Sequence, residues 1–288
     1  MRRLIINADD FGLTAGVNRA IIEGCTKGIV TSATIMANGA AFHAAADSAK
    51  NLPRLRTGCH VVLVDGKAVA SGLYTLTNGR GHFRNSLKDF ARAAWQKKIA
   101  SGEVQREAEA QIHKIQLTGI TVTHVDSHKH THMFPQILRP VLRAAKARGI
   151  RAVRNPFEPL GSWPSWLVAG KPALWVRSLA VAAFHYFAAD FRRAIREEDM
   201  LTTDGTVGIA TTGLLDQRIL LALLKGLPEG TWELVCHPGY ADADLATTGT
   251  RLIQSRQVEL QVLTSRETKA MLDACGIQLI SYADLKHS

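Results

Sequence analysis

Histidines and aspartates, the residue types that bind divalent metals and move protons, are concentrated at four places in the sequence. In the densest group, residues 124–132, chance placement predicts about 0.3 histidines, whereas there are four, His124, His128, His130 and His132. They recur at every second or fourth position, so an extended segment would project all four from one side together with Asp126. Beside a predicted strand, this cluster indicates a metal or catalytic site. The alternative is a surface patch that collects metal without a function.

Three further segments place an acid or an imidazole inside or directly after a short apolar run. Asp9 and Asp10 are adjacent, His60 lies within a β-branched run, and His237 precedes Pro238 and Gly239. Two neighbouring carboxylates after a buried strand are costly unless a cation or a shared proton relieves them. Alone, each feature also has a structural interpretation: an acid that caps a helix, a histidine of the core, or an exposed turn.

The combination of the four segments indicates one site. One aspartate and two histidines form a three-ligand set for a catalytic divalent metal with an open water position. A spare carboxylate and a spare imidazole then remain as general base and general acid of a hydrolase. We expect one divalent ion, zinc or magnesium first, and manganese or iron would suit the same ligands.

The elements that must position these residues alternate between strand and helix. Strands are predicted at residues 3–8, 30–36, 57–64, 121–126, 151–154, 207–209, 232–236 and 277–281. Helices are predicted at residues 17–27, 42–51, 87–100, 103–117, 136–148, 214–224 and 251–274. This alternation predicts a largely parallel sheet wrapped by helices. Seven or eight such units favour a single α/β domain over residues 1–288 with a TIM-barrel-like (β/α) fold, whose sites form at strand ends.

The composition is that of a globular protein. The chain has 288 residues, of which 46% are hydrophobic and 21% charged, enough for one large domain. The net charge is +10, yet the basic residues are spread and match no nucleic-acid motif, so we expect no nucleic-acid partner. Anionic lipid or acidic partners would suit such a surface equally. The same sequence is compatible with a homodimer.

The sequence predicts neither a signal peptide nor a membrane span. The apolar run after Met1 is too short for a signal peptide, and no stretch reaches the roughly 18–20 apolar residues of a membrane span. Four scattered cysteines predict reduced thiols. We therefore expect a cytoplasmic protein, with peripheral contact at the inner face of the membrane left open.

Taken together, the motifs resemble the YdjC-like (ChbG-like) carbohydrate deacetylases. The matching segments are 7–12 (NADDFG), 31–38 (TSATIMAN), 58–63 (GCHVVL), 123–134 (THVDSHKHTHMF) and 237–240 (HPGY). The resemblance also includes Arg256 and Glu259. It extends over nearly the whole sequence except about residues 156–202. Each motif is weak alone and specific in combination. The resemblance implies a barrel-like fold and metal-dependent removal of acetyl from N-acetylglucosamine-type units.

The same resemblance implies a role for individual positions. The implied metal ligands are Asp10, His60 and His128. Asp9 would be the general base for the attacking water, and His237 the general acid for the leaving amine. His130 and Arg154 would contact either the substrate or the residues that hold the metal.

The central segment departs from family members that act on chitooligosaccharides. Its aromatic residues are Trp163, Trp166, Trp175, Phe184, Tyr186 and Phe187. This looks like the branch associated with hopanoid biosynthesis, which implies an N-acetylglucosaminyl hopanoid lipid as substrate. We interpret residues 156–200 as an apolar insertion that forms a lid or a membrane-docking surface. The alternative is an ordinary buried helix that covers the barrel.

Two other functions agree with the same residues. A metal-dependent phosphoesterase or another amidohydrolase could use these ligands, but phosphate substrates usually require a basic clamp or a second metal, which the motifs do not supply. A non-catalytic sugar- or lipid-binding protein would keep the fold but would need neither Asp9 nor His237. The sequence therefore favours a deacetylase.

Overall fold

The computed structural model describes residues 1–159 and 172–286. Within these ranges, one curled sheet contains seven strands in the order β4-β3-β2-β1-β6-β5, and β7 also pairs with β1. All of these pairings are parallel. The strands are β1 (Arg2–Phe11), β2 (Ser32–Ile35), β3 (Arg56–Val61), β4 (Val125–Ser127), β5 (Gly205–Val207), β6 (Gly230–Cys236) and β7 (Ile277–Ile280).

Helices connect the strands and cover the outside of the sheet. Those of the described ranges are α1 (Ala15–Thr26), α2 (Phe42–Lys50), α3 (Leu87–Trp95), α4 (Ser101–Gln116), α5 (Pro135–Ala147), α6 (Pro172–Phe184), α7 (Ala188–Glu197), α8 (Gln217–Gly226), α9 (Ala243–Thr247), α10 (Gln254–Thr264) and α11 (Arg266–Ala274). The predicted single helix at 251–274 is wrong. Ser265 interrupts it, because its hydroxyl accepts the backbone N–H of Thr268 and begins a new helix.

β1 is the centre of the sheet. Along one side it pairs with β6. Along the other side its first half pairs with β7 and its second half with β2. Leu4, Ile6 and Ala8 pack into the main core, whereas Ile5 packs in a separate small cluster with Tyr282. The alternating side chains therefore fill both the helix side and the interior of the sheet.

An extended segment, residues 152–157, connects the two edges of the sheet. The N–H of Val125 in β4 donates to the carbonyl of Ala152 at 3.0 Å, and the N–H of Thr206 in β5 donates to the carbonyl of Phe157 at 3.1 Å. The strand predicted at 151–154 is present only as single bridges, and β4 is shorter than predicted. The curled parallel sheet confirms the TIM-barrel-like fold, and it brings the ends of β1, β3 and β4 together.

Candidate metal centre and active site

A bulge at the end of β1 lets two adjacent carboxylates reach the same site. Neighbouring residues of a regular strand face opposite sides, yet Asp9 and Asp10 are both buried, and each has a carboxylate oxygen within 4.8 Å of a ring nitrogen of His60. The register between β1 and β2 shifts between Ala8 and Phe11. Asp10 there has a φ of 66°, a left-handed conformation that residues other than glycine seldom adopt. The bulge turns Asp10 towards the histidines.

Asp10, His60 and His128 bring three ligand atoms together. Oδ1 of Asp10 lies 3.5 Å from Nε2 of His60 and 3.4 Å from Nδ1 of His128, and the two nitrogens are 3.3 Å apart. This Oδ1 is buried and has no hydrogen-bond partner, which is costly for a carboxylate. A divalent cation would satisfy all three atoms, so the residues fit the metal site expected from the sequence.

His60 is held from behind by Asp126. Its Nδ1 lies 2.8 Å from Oδ1 of Asp126, which leaves Nε2 facing Asp10. Burial opposes the charged imidazole, but Asp126 and the other nearby carboxylates raise the pKa of His60 to about 9. Without a metal, the ring therefore carries an extra proton near neutral pH.

The buried charges around this group are unbalanced. The acids are Asp9, Asp10, Asp126 and Glu233, and the bases that contact them are Arg154 and Arg256. If the four acids are ionised, two negative charges remain after pairing. Buried charge of one sign requires compensation, and a divalent cation or protonated histidines would supply it.

Arg154 orients Asp9. It is fully buried, and its guanidinium donates to Oδ2 of Asp9 at 2.8 Å and to Oδ1 at 2.6 Å. It also binds Asp126 and Glu233. Burial alone would raise the pKa of Asp9, but Arg154 holds it well below its usual range. The guanidinium is enclosed by carboxylates, which agrees with a role behind the site residues, and its contact with the substrate stays a prediction.

His237 lies on the other side of Asp9. Its Nε2 is 3.9 Å from Oδ2 of Asp9, and its backbone N–H donates to Oε2 of Glu259 at 2.6 Å. Burial lowers the pKa of the His237 imidazole to about 4, although Asp9 and Asp10 act in the opposite direction. The imidazole is therefore neutral near pH 7, beside a carboxylate that remains ionised.

The four histidines of 124–132 do not face one side, contrary to expectation. β4 ends at Ser127, and a 3₁₀ segment, His128–Met133, follows with left-handed backbone at Lys129 and His130. Only His128 belongs to the three-ligand group. His130 is half-buried and its Nδ1 has no partner, so its proposed substrate contact stays a prediction.

The remaining two histidines of this segment have structural contacts. Nε2 of His124 lies 3.1 Å from Oδ1 of Asn7, and its ring stacks on Tyr282 at 3.8 Å. Nδ1 of His132 lies 2.5 Å from the hydroxyl of Ser127. Its Nε2 donates to the carbonyl of Arg154 at 3.1 Å.

Arg256 is a site residue to which the sequence analysis assigned no role. Its Nη2 lies 2.5 Å from Oδ2 of Asp10. Burial favours the neutral form of Asp10, but Arg256 and His128 lower its pKa well below its usual range. In the sequence, only the family resemblance pointed to Arg256, because no local residue spacing connects α10 with the end of β1.

The aromatic insertion is described only in part. Trp163 and Trp166 lie outside the described residues. In and after α6, Trp175, Leu179 and Tyr186 are 58%, 54% and 76% exposed, whereas Leu174 is buried. An ordinary buried helix therefore does not describe this face. In the described ranges, no helix has the length and apolar character needed to cross a membrane.

A curled parallel sheet with an aspartate–histidine group at its strand ends is the architecture of barrel enzymes. The family described as YdjC-like protein matches residues 3–274. The chain belongs to this YdjC-like family, which confirms the resemblance that the motifs suggested.

Named relatives and a solved structure agree with this assignment. A carbohydrate deacetylase of Brevibacillus brevis is 31% identical, with 98% of this chain and 99% of that protein covered. A chitooligosaccharide deacetylase of Klebsiella pneumoniae is 33% identical, with 99% of this chain and 99% of that protein covered. A crystal structure of an Enterococcus faecalis protein, provisionally assigned to cellobiose-phosphate cleavage, matches with a TM-score of 0.77 and 26% identity over 98% of this chain and 97% of that one. These relatives confirm the expectation of a hydrolase.

Proposed function

We propose that this chain removes the acetyl group from an N-acetylglucosamine-type sugar in a metal-dependent reaction. The observation that carries the proposal is the unpartnered, buried Oδ1 of Asp10 between His60 and His128. The relatives named carbohydrate and chitooligosaccharide deacetylases support the substrate class.

Asp10, His60 and His128 would hold one divalent ion, which when bound supplies a Lewis acid and lowers the pKa of bound water. Asp9, oriented by Arg154, accepts the proton of the attacking water at Oδ2. His237 donates a proton from Nε2 to the departing amine. Because His237 is neutral near pH 7, it must first receive that proton. Oδ2 of Asp9, which lies 3.9 Å from Nε2 of His237, can pass on the proton that it took from the water.

The ion pair with Arg154 favours a second assignment of the same two residues. Since both oxygens of Asp9 are bound to the guanidinium, Asp9 is a weak base. A neutral His237 would then accept the proton of the water, and Asp9 would stabilise the imidazolium that forms. The dependence of turnover on pH distinguishes the two assignments.

We further propose that the sugar is attached to a lipid, of which an N-acetylglucosaminyl hopanoid is the candidate. The exposed apolar side chains of α6 and the segment after it support this refinement. Exposed arginines, Arg192, Arg193 and Arg196, follow in α7. Apolar and basic residues together favour binding to an anionic membrane surface.

The test is acetate release from a chitooligosaccharide and from an N-acetylglucosaminyl lipid, each with and without a chelator. We expect release that stops with the chelator and returns with added metal. Preference for the lipid would support the refinement, and preference for the free sugar would overturn it. Binding without acetate release under any of the four metals would favour the non-catalytic alternative, and phosphate release from a sugar phosphate would favour a phosphoesterase.

A further inference from the structure

His128 contacts a carboxylate through each of its two ring nitrogens. Nδ1 faces Oδ1 of Asp10 at 3.4 Å, and Nε2 faces Oδ2 of Asp65 at 3.7 Å. Asp65 belongs to the loop after β3, and its carboxylate is also bound by the ammonium of Lys129. No motif in the sequence marks Asp65.

The backbone around this contact is held in unusual conformations. Asp65, Lys129 and His130 have φ values of 67°, 55° and 52°, so half of the six non-glycine residues with positive φ in the described ranges lie here. The N–H of Asp65 donates to the carbonyl of Arg84 at 2.9 Å. Strained backbone persists where the surrounding structure enforces it, and it concentrates at functional sites. The fold therefore keeps Asp65 beside His128.

His60 shows the same arrangement in a closer form. Its Nε2 faces Asp10, and its Nδ1 lies 2.8 Å from Asp126. A histidine that binds a metal through one nitrogen usually donates the N–H of the other to a carboxylate, which fixes the tautomer and the orientation of the ring. Both histidines of the three-ligand group thus have a carboxylate behind them.

We propose that Asp65 is a positioning residue that accepts the Nε2–H of His128 and keeps Nδ1 unprotonated towards Asp10. Lys129 holds the Asp65 carboxylate in place. This inference rests on the metal site of the proposed function. Asp65 touches no reacting atom and acts through His128.

The experiment measures Zn²⁺ affinity by calorimetry and the visible spectrum of the Co²⁺-loaded protein. The variant is Asp65→Asn, because asparagine tolerates left-handed backbone better than alanine does. We expect about 10–100-fold weaker Zn²⁺ binding and an altered Co²⁺ spectrum. The control is Asp47→Asn, which removes one negative charge from the exposed face of α2. It should change the affinity by less than about fivefold, the scale of an exposed ion pair.

The outcomes separate the two proposals. If Asp65→Asn matches Asp47→Asn in affinity and spectrum, the role of Asp65 is overturned and the metal site stands. If the wild-type chain binds neither Zn²⁺ nor Co²⁺, the metal site and the role of Asp65 are both overturned. Thermal unfolding of the metal-free proteins should be the same for wild type and Asp65→Asn, and a large drop would instead assign Asp65 a purely structural role.

Discussion

Asp10 connects the proposed metal ligands with helix α10, because its two oxygens face different partners. Oδ1 faces the histidines and Oδ2 binds Arg256. Replacing Asp10 therefore affects both the ligand set and a buried ion pair, whereas replacing His128 affects the ligand set without leaving a buried guanidinium unpaired. The two substitutions together separate loss of metal from loss of fold.

We predict that Asp10→Asn and His128→Ala both lose most of the bound metal. His128→Ala should keep the far-UV circular dichroism of wild type. Asp10→Asn should also be less stable, because breaking a buried ion pair costs about 3–5 kcal/mol. Metal analysis and urea unfolding measure the two effects. Full metal retention in both variants would refute the assignment, and His130 would be tested next.

Asp9 and His237 should act in the reaction and not in metal binding. Asp9→Asn should keep the metal and lower turnover by about 10²–10⁴, the usual contribution of a general base. His237→Ala should likewise keep the metal. Metal content and steady-state kinetics measured on the same preparations check both statements. Near-normal turnover in Asp9→Asn would contradict both roles of Asp9, as the base and as the group that stabilises the His237 imidazolium.

The elements of the fold could be predicted because their signals are local. Apolar and β-branched runs mark β1, β3 and β6. Asp9 and Asp10 lie near the end of β1, and His237 directly follows β6. The ion pairs of Arg154 and Arg256 could not be predicted, since each connects residues that are distant in the sequence. The prediction that the four histidines of residues 124–132 face one side was wrong for another reason. Two residues with left-handed backbone end the extended conformation, and an alternating sequence pattern does not reveal such residues.

The 3₁₀ segment after β4 depends on a neutral His132. Its two ring nitrogens bind Ser127 and the carbonyl of Arg154, and burial and Arg154 lower the pKa of His132 to about 3. Between pH 6.5 and 3 the unfolded chain takes up a proton that the folded chain does not. This contribution to stability is therefore present above pH 6.5 and is lost as the pH falls.

We predict that His132→Gln shows a smaller acid destabilisation than wild type. From pH 6.5 to 4.5 the difference should be about 2–3 kcal/mol, although the variant will be less stable at pH 7. Urea unfolding at both pH values measures it, and His43→Gln, an exposed histidine of α2, is the matched control. Equal pH dependence in the His132 and His43 variants would contradict the prediction.

Metal binding should stabilise the whole molecule. A ligand that binds only the folded chain at 100 times its Kd adds about 2.7 kcal/mol to the free energy of unfolding. We expect this increase for wild type with Zn²⁺ and none for His128→Ala. Urea unfolding with and without Zn²⁺ measures it. An equal increase in His128→Ala would place the metal elsewhere on the protein.

The exposed face of α6 should bind anionic vesicles. Wild type should co-sediment with them, and a Trp175→Ser/Leu179→Ser variant should do so much less, because apolar contact and basic charge act together at a membrane surface. Trp95→Ser, which changes an exposed tryptophan of α3, should bind like wild type. If wild type does not sediment with the vesicles, the lipid-linked substrate loses its physical support.

The pairing of β1 has a consequence for how the protein is made. β1 carries Asp9 and Asp10, yet it lies between β6 and β7, which follow the other five strands in the sequence. β1 must therefore remain without two of its partners until the ribosome has synthesised β6 and β7. Contacts between such distant segments slow folding, and an apolar strand with open edges is prone to aggregate meanwhile. A newly synthesised chain should thus need chaperone protection until β6 and β7 pair with β1.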